Sequence, residues 1–256
     1  MRIQLLLFSF LTLVSGSAAA DLSAVIAAVK PSVVGVGSYQ RLRNPATVFT
    51  GTGVVLGDGL SVITNAHVVP EFPNAEQMET LGVVIAGEGT QFSFRPATLV
   101  GVDREHDLAH LRLSGAPLPA LKLGDSAGLR EGRDLAFTGF PLGMVLGLHH
   151  VTHRATLSAI TPVIIPSASS RQLDARAVVA LQRTPFNILQ LDGTAYPGNS
   201  GSPVYDPADG TVYGILNMVF VKGLKESAIS SPSGITYAIP ARYVQELLLR
   251  RTAPEK

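Results

Sequence analysis

A long succession of short, β-branched segments is the feature that most constrains the fold of this chain. The segments are rich in Val, Ile and Thr, and turn-forming Gly, Asp, Asn and Pro separate them. They lie at residues 32–36, 53–56, 61–64, 83–86, 98–102, 134–138, 149–160, 188–191, 204–205, 211–218 and 234–238. Strands do not alternate with long helices, so a doubly wound parallel sheet is not expected. The pattern predicts an all-β fold of antiparallel strands.

Local signals add a hairpin, two helices and a loop to these strands. Gly57-Asp58-Gly59 joins two of the segments and predicts a tight hairpin, because a positive φ costs glycine little. Apolar residues at helical spacing predict a short helix that ends at Pro31 and another that starts at Pro240. The stretch 166–185 shows no clear period and predicts a loop, whose role the sequence does not indicate.

The first 20 residues form a unit of their own. Arg2 gives a positive start, residues 3–14 are apolar, and residues 15–20 are small. This arrangement is typical of a secretory signal peptide, and the apolar run is shorter than the roughly 20 residues of a membrane span. We therefore expect an exported protein that is not inserted in the membrane after cleavage, with an uncleaved anchor as the alternative.

Composition excludes some classes of partner and narrows the compartment. The 256 residues include 20 basic and 19 acidic side chains, so no strong field favours nucleic acid. There is no cysteine, although an exported protein meets an oxidising compartment where disulfides form. The core must therefore stabilise the fold without disulfides. This suits a bacterial exported protein, with the periplasm as the expected location and secretion as the alternative.

A serine lies among glycines in the segment Tyr196-Pro197-Gly198-Asn199-Ser200-Gly201-Ser202-Pro203, directly before an apolar strand. Glycine lets a substrate carbonyl approach the backbone, so that the amides of Gly198 and Ser200 can converge on a developing oxyanion. The segment predicts a nucleophile at Ser200 and an oxyanion hole at Gly198, Asn199 and Ser200. An ordinary Asn-Ser-Gly turn is the alternative interpretation.

A nucleophilic serine needs a base, and the base needs a carboxylate that orients it. His67 ends one apolar segment, and Asp107 begins another. Each residue alone is a weak indication, since most single histidines and strand-edge aspartates are structural or solvated. Asp103 is the nearest rival carboxylate.

The chain order His67, Asp107, Ser200 separates the hydrolase classes. α/β-Hydrolases run Ser, Asp, His and carry G-x-S-x-G, a pattern that Ser202 breaks here. The order found is that of the chymotrypsin type, whose paired β-barrels bring the three residues together in a cleft. We therefore expect two six-stranded antiparallel Greek-key barrels packed together, one within 21–118 carrying His67 and Asp107, the other within 119–256 carrying Ser200.

Several motifs, in one order, resemble the HtrA/Deg branch of trypsin-like serine proteases. They are KPSVVGV at 30–36, GTGVV at 51–55, TNAHVV at 64–69, DLAHLRL at 107–113, GFPLG at 139–143, QLDGTAYPGNSGSPV at 190–204 and ITYAIP at 235–240. The resemblance implies a serine endopeptidase acting on exported or misfolded polypeptides without a cofactor. It also implies His67 as general base, Asp107 as its orienting carboxylate and Ser200 as nucleophile.

The sequence departs from that family in two ways. Ser202 stands where the usual member has glycine, although glutamyl endopeptidases of the wider superfamily also carry GNSGSP. The chain stops after the protease unit, where typical members continue into PDZ domains. We therefore expect a protease domain without a PDZ domain, and the family's trimer is not carried over to it.

The wall before the serine and the strand after it are expected to form the substrate pocket. The residues concerned are Thr194, Ala195, Tyr196, Leu216, Asn217 and Met218. No carboxylate stands at Thr194, the position from which a trypsin-type pocket would bind Arg or Lys. A small or medium apolar P1 side chain is therefore expected.

Two other functions stay open. Ser202 and the absent PDZ domain suggest an inactive protease-fold chaperone or peptide-binding protein, although such a protein has no chemical need for all three catalytic side chains. His149, His150 and His153 suggest a metal site, since His149 and His153 share one face of a strand. No HExxH motif and no matched carboxylate accompanies them, so no metal is expected.

Overall fold

The computed structural model describes residues 21–70, 78–87, 89, 91–143, 147–163, 186–218 and 234–250. The predicted signal peptide and the predicted loop 166–185 lie outside these residues. The first barrel contains β1 (Val33–Tyr39), β2 (Thr47–Leu56), β3 (Ser61–Thr64), β4 (Thr80–Ala86), β5 (Phe92–Asp103) and β6 (Leu108–Leu113). The second contains β7 (Asp134–Gly139), β8 (Val151–Pro162), β9 (Asn187–Asp192), β10 (Pro203–Tyr205), β11 (Val212–Asn217) and β12 (Ile235–Pro240).

Both barrels are closed, antiparallel and built to the same plan. The first has the neighbour order β1-β2-β3-β6-β5-β4, and the second has β10-β11-β12-β9-β8-β7. In each, the fourth strand in sequence pairs with the first, and the sixth pairs with the third, as in a Greek key. Closure leaves no long unpaired edge. The expected fold of two six-stranded barrels is confirmed.

Helices α1 (Leu22–Val29) and α2 (Ala241–Leu249) flank the strands, as the sequence predicted. The Asp21 carboxylate caps α1 by accepting from the Ser23 amide at 3.0 Å. Pro240 precedes α2, whose buried face includes Val244 and Leu247. No helix among the described residues is long and apolar enough to cross a membrane.

Three apolar clusters form the core. One fills the first barrel around Val36, Val62 and Leu111, and a second fills the other barrel around Leu135 and Leu191. The third lies between the barrels and holds side chains of both, together with α2. Its members include Val33, Leu56, Leu108, Phe140, Tyr205, Ile215, Ile239 and Leu247. The surfaces that border the cleft are therefore fixed by a shared core rather than by loops alone.

Helix α2 follows the second barrel in the chain and packs on strands of both barrels. The His106 and Tyr243 rings stack with centroids 3.8 Å apart, and Arg250 pairs with the buried Asp103 at 3.1 Å. Asp103 also accepts from His106 Nδ1 at 2.9 Å. This rival carboxylate therefore belongs to the α2 contact, on the turn that leads to Asp107.

Candidate active site

Asp107 organises the turn that carries His67. Its Oδ1 accepts the His67 amide at 2.9 Å, and its carbonyl oxygen accepts the Ala66 amide at 3.1 Å and Asn65 Nδ2 at 3.1 Å. Asp107 itself has a φ of +53°, a left-handed conformation that aspartate tolerates better than most residues. The start of β6 and the 3-10 turn after β3 are thus held together by one residue.

The carboxylate of Asp107 also fixes the orientation of the imidazole. His67 Nδ1 donates to Asp107 Oδ2 at 2.6 Å. An ionised carboxylate only accepts hydrogen bonds, so the proton of the neutral ring lies on Nδ1 and leaves Nε2 as an acceptor. About a third of the His67 side chain is exposed, at 29%, so the ring is open to the cleft. A base in this tautomer is ready to take a proton.

Asn217, at the end of β11, completes the surroundings of Asp107 from the second barrel. Its Nδ2 donates to Asp107 Oδ2 at 2.8 Å, and the residue is fully buried. Burial alone would raise the pKa of Asp107. Hydrogen bonds and charge from His67, with the Asn217 amide, outweigh burial and hold the pKa below its ordinary 3.8.

Ser200 lies on a turn that packs against β2, the neighbour of the strand that leads to the histidine. The amide of Thr52 donates to the Ser200 carbonyl oxygen at 2.8 Å. A Cβ on Gly51 would lie 3.0 Å from that oxygen and 2.7 Å from Val68 Cγ2, so glycine lets the serine turn approach the residue after His67. No hydrogen bond joins the Ser200 hydroxyl to the ring among the residues that the structure describes. In unliganded enzymes this contact is often long and closes when substrate binds.

The turn Tyr196–Asn199 presents two open backbone donors. Asn199 N donates to Tyr196 O at 3.0 Å, and Gly198 has a φ of +101°, which the third position of a type II turn requires. Within the described part of the chain, the amides of Gly198 and Ser200 donate to no protein acceptor. Two free amides separated by one residue suit an oxyanion. Asn199, assigned to the hole from the sequence, contributes no free amide because Tyr196 engages it.

Ser202, the residue that departs from the family pattern, is accommodated by a glycine on the facing strand. Ser202 and Asn199 are fully buried, and neither the Ser202 hydroxyl nor the Asn199 side-chain amide has a hydrogen-bond partner among the described residues. A Cβ on Gly139 would lie 2.0 Å from Ser202 Oγ and 2.9 Å from Asn199 Oδ1. The hydroxyl therefore occupies space that any larger residue at 139 would need.

The residues assigned to the substrate pocket divide into two groups in the structure. Thr194, Tyr196 and Met218 are partly exposed, so they can line a pocket. Ala195 and Leu216 are buried in the core of the second barrel, and the Asn217 amide bonds Asp107 instead of facing a substrate. Sequence reasoning placed Leu216 and Asn217 on the right strand but did not anticipate these contacts.

Two of the three histidines that were weighed as a metal site, His150 and His153, make packing contacts. His150 Nε2 donates to the Val33 carbonyl oxygen at 2.8 Å, and His153 stacks on Phe137 with centroids 4.8 Å apart. Burial lowers the pKa of both rings. Across the described ranges, no group of three or more His, Cys, Asp or Glu side chains could hold a metal ion.

Fold and site together define the chymotrypsin-type class of two-barrel proteins, with an Asp–His pair on the first barrel and a serine turn of the second barrel that packs on β2. Comparison with known families agrees, since the profile of the trypsin-like peptidase domain matches residues 51–215. The chain belongs to the trypsin-like peptidase domain family.

Individual relatives lie in the HtrA branch, as the motifs indicated. "Serine protease HTRA2, mitochondrial" of Drosophila pseudoobscura pseudoobscura is 32% identical over 212 residues, which cover 83% of this chain and 41% of the relative. The Drosophila virilis protein of that name is 32% identical over 209 residues, or 82% of this chain and 41% of the relative. The chain thus spans less than half the length of these curated relatives.

Solved structures give the same architecture. "HtrA-type protease AlgW with decapeptide" has a TM-score of 0.61 at 22% identity, covering 90% of this chain and 66% of that chain. The tripeptide complex of AlgW has a TM-score of 0.59 at 24% identity, covering 89% of this chain and 62% of that chain. At this level of identity the likeness concerns the fold.

The contact between Gly139 and Ser202 predicts a paired mutational effect. Gly139→Ala is expected to lower the free energy of unfolding by about 1–3 kcal/mol, because the new methyl group overlaps Ser202 Oγ. Ser202→Ala removes an unpartnered hydroxyl and serves as the control, with stability close to that of the wild type. The double variant should recover most of the loss in urea unfolding. A double variant as unstable as Gly139→Ala would contradict the contact.

Proposed function

We propose that this chain is a serine endopeptidase that hydrolyses peptide bonds through an acyl-enzyme. Ser200 is the nucleophile, His67 the general base and Asp107 the carboxylate that orients it. The observation that carries the proposal is the 2.6 Å bond from His67 Nδ1 to Asp107 Oδ2. The turn that carries His67 and the serine turn both lie against Gly51 of β2. A structural Asp–His pair would not need an exposed ring beside a serine and two open amides.

The chemistry follows from these positions. Ser200 Oγ attacks the substrate carbonyl carbon while its proton passes to His67 Nε2, and the amides of Gly198 and Ser200 bind the resulting oxyanion. The imidazolium then gives the proton to the leaving amine as the C–N bond breaks. Water repeats the sequence on the ester and restores the hydroxyl. Asp107, ionised throughout, stabilises the imidazolium without taking its proton.

The cleft beside the histidine is shaped for polypeptide. An open cavity of about 370 Å³ next to His67 and Asp107 has Leu99 and Val102 in its wall, and both are partly exposed. Exposed apolar side chains at a catalytic cleft suit the side chains of an extended peptide. The substrates in this proposal are exported or misfolded proteins.

The wider setting of the activity is also part of the proposal. Residues 1–20 have the composition of a signal peptide, which would direct the mature chain to the periplasm. We place the boundary between the unit carrying His67 and Asp107 and the unit carrying Ser200 after residue 118, in the connection between β6 and β7.

Loss of the serine hydroxyl is expected to abolish activity and leave the fold intact. Ser200→Ala should lower the turnover of a casein or peptide substrate by about 10⁴ to 10⁶, because the covalent step is lost. A fluorophosphonate probe should label the wild type at Ser200, and His67→Ala should abolish labelling. Well-folded wild type with neither hydrolysis nor labelling would favour the inactive chaperone or peptide-binding protein.

Activity should depend on pH through an imidazole and not through Asp107. Because the pKa of Asp107 is held below 3.8, this carboxylate stays ionised at pH 5 and above. Only neutral imidazole accepts a proton, so kcat/KM should fall as the pH is lowered. Initial rates from pH 5 to 8 measure this, with circular dichroism to check folding at each pH. A flat profile would count against His67 as base.

The pocket is expected to favour small or medium apolar P1 side chains. Thr194, Ala195 and Met218 offer no carboxylate to a basic side chain. In peptides that differ only at P1, cleavage after Ala, Val or Leu should exceed cleavage after Arg or Lys by about tenfold in kcat/KM. The reverse order would show that a residue outside these three supplies the specificity.

A further inference from the structure

Thr52, in the middle of β2, contacts both residues whose amides form the proposed oxyanion hole. Its own amide donates to the Ser200 carbonyl oxygen at 2.8 Å, and its side-chain hydroxyl donates to the Gly198 carbonyl oxygen at 2.7 Å. The residue is fully buried, so it cannot touch substrate. It belongs to the first barrel, whereas the hole belongs to the second.

The direction of the side-chain bond is settled by its neighbours. The amide of Phe140 donates to Thr52 Oγ1 at 3.2 Å, which uses an acceptor position of the hydroxyl. The single hydroxyl hydrogen is then directed to Gly198 O, because a carbonyl oxygen can only accept. Two buried backbone groups therefore depend on this one hydroxyl.

The orientation of the peptide groups around Gly198 decides whether its amide faces a substrate. Glycine has no Cβ, so the peptide groups on either side of it can rotate at little steric cost. The Leu142 amide holds the preceding group by donating to Pro197 O at 2.8 Å, and the Thr52 hydroxyl holds the following one at Gly198 O. Electrostatic stabilisation of an oxyanion requires donors that are already oriented.

Thr52 also connects the hole to the strand that leads to the base. Its carbonyl oxygen accepts the Thr64 hydroxyl at 2.6 Å, and Thr64 is the last residue of β3, three positions before His67. Thr52 is thus hydrogen-bonded both to the serine turn and to the strand that precedes His67.

We propose that Thr52 is a positioning residue of the oxyanion hole. Its hydroxyl holds the Gly198–Asn199 peptide group, which lies between the two donor amides of Gly198 and Ser200, and so fixes how these amides are oriented relative to each other. This role rests on the proposed peptidase function. The hydroxyl touches no substrate and acts only through the backbone, so its loss should weaken transition-state binding and leave ground-state binding of the peptide unchanged.

The test replaces the hydroxyl without changing the volume of the side chain. Thr52→Val keeps the backbone bond to Ser200 but leaves Gly198 O without its donor. Direct removal of an oxyanion donor costs about 10² to 10³ in kcat, so an indirect effect of about 10- to 100-fold is expected. KM should stay within about threefold, and Thr52→Ser, which restores the hydroxyl, should regain most of kcat.

A peptide aldehyde gives a second readout that depends on the hole. Ser200 Oγ adds to the aldehyde carbon, and the former carbonyl oxygen then lies where the oxyanion forms. The affinity of Thr52→Val for this inhibitor should fall in proportion to kcat/KM. Thr138→Val is the matched control, since it removes another fully buried hydroxyl, which is bonded to Thr152 and Tyr205 in the second barrel.

Each result decides for or against the proposal. Unchanged kcat and aldehyde affinity in folded Thr52→Val would overturn it, as would equal losses in Thr138→Val. Should Thr52→Val fail to fold, Thr52→Ala and Thr52→Ser differ in the hydroxyl, and equal kcat values in that pair would overturn the role. If the wild type neither hydrolyses peptides nor reacts with the probe, the peptidase function is wrong and the role of Thr52 is wrong with it. If the wild type is active, the results for the Thr52 variants test the role of Thr52 alone.

Discussion

The carboxylate of Asp107 is the group on which the arrangement of the site depends. It accepts hydrogen bonds from the ring and the amide of His67 in the first barrel, and from the Asn217 amide in the second. A half-buried charge is tolerated only when it is satisfied in this way. The bond to the ring fixes the tautomer of the base, and the bond to Asn217 holds the end of β11 next to the histidine. Hydrogen bonding to the one carboxylate of Asp107 therefore aligns the two barrels at the cleft.

Much of the fold was readable from the sequence because its signals are local. Gly57 and Gly59 have φ values of +60° and +77°, and the strands they join are antiparallel neighbours, as the hairpin prediction required. Short β-branched segments marked the strands, since such residues favour the pleated surface. Boundaries were less exact: β2 begins at Thr47 and β5 at Phe92, earlier than predicted, because Gly51 and Pro96, which resemble turn signals, lie inside these strands.

The candidate site was less readable where it depends on contacts between distant segments. The amide of Asn217 reaches Asp107 across 110 positions, and the Thr52 hydroxyl reaches Gly198 across 146. No sequence pattern near either residue indicates its partner. Asn217 was therefore assigned to the substrate pocket and not to the surroundings of Asp107. The fit between Gly139 and Ser202 was equally hidden. It arises because two strands of one barrel pair, and no sequence motif indicates it.

The position of α2 has a consequence for the order in which the protein matures. A chain emerges from the ribosome with its N-terminus first, and domains generally fold as they emerge. The first barrel can pair its strands early, but Tyr243 and Arg250, which cover its His106 and Asp103, follow all twelve strands that the structure describes. The turn that presents Asp107 therefore gains its last neighbours only near the end of translation, so a truncated nascent chain would lack a finished catalytic centre.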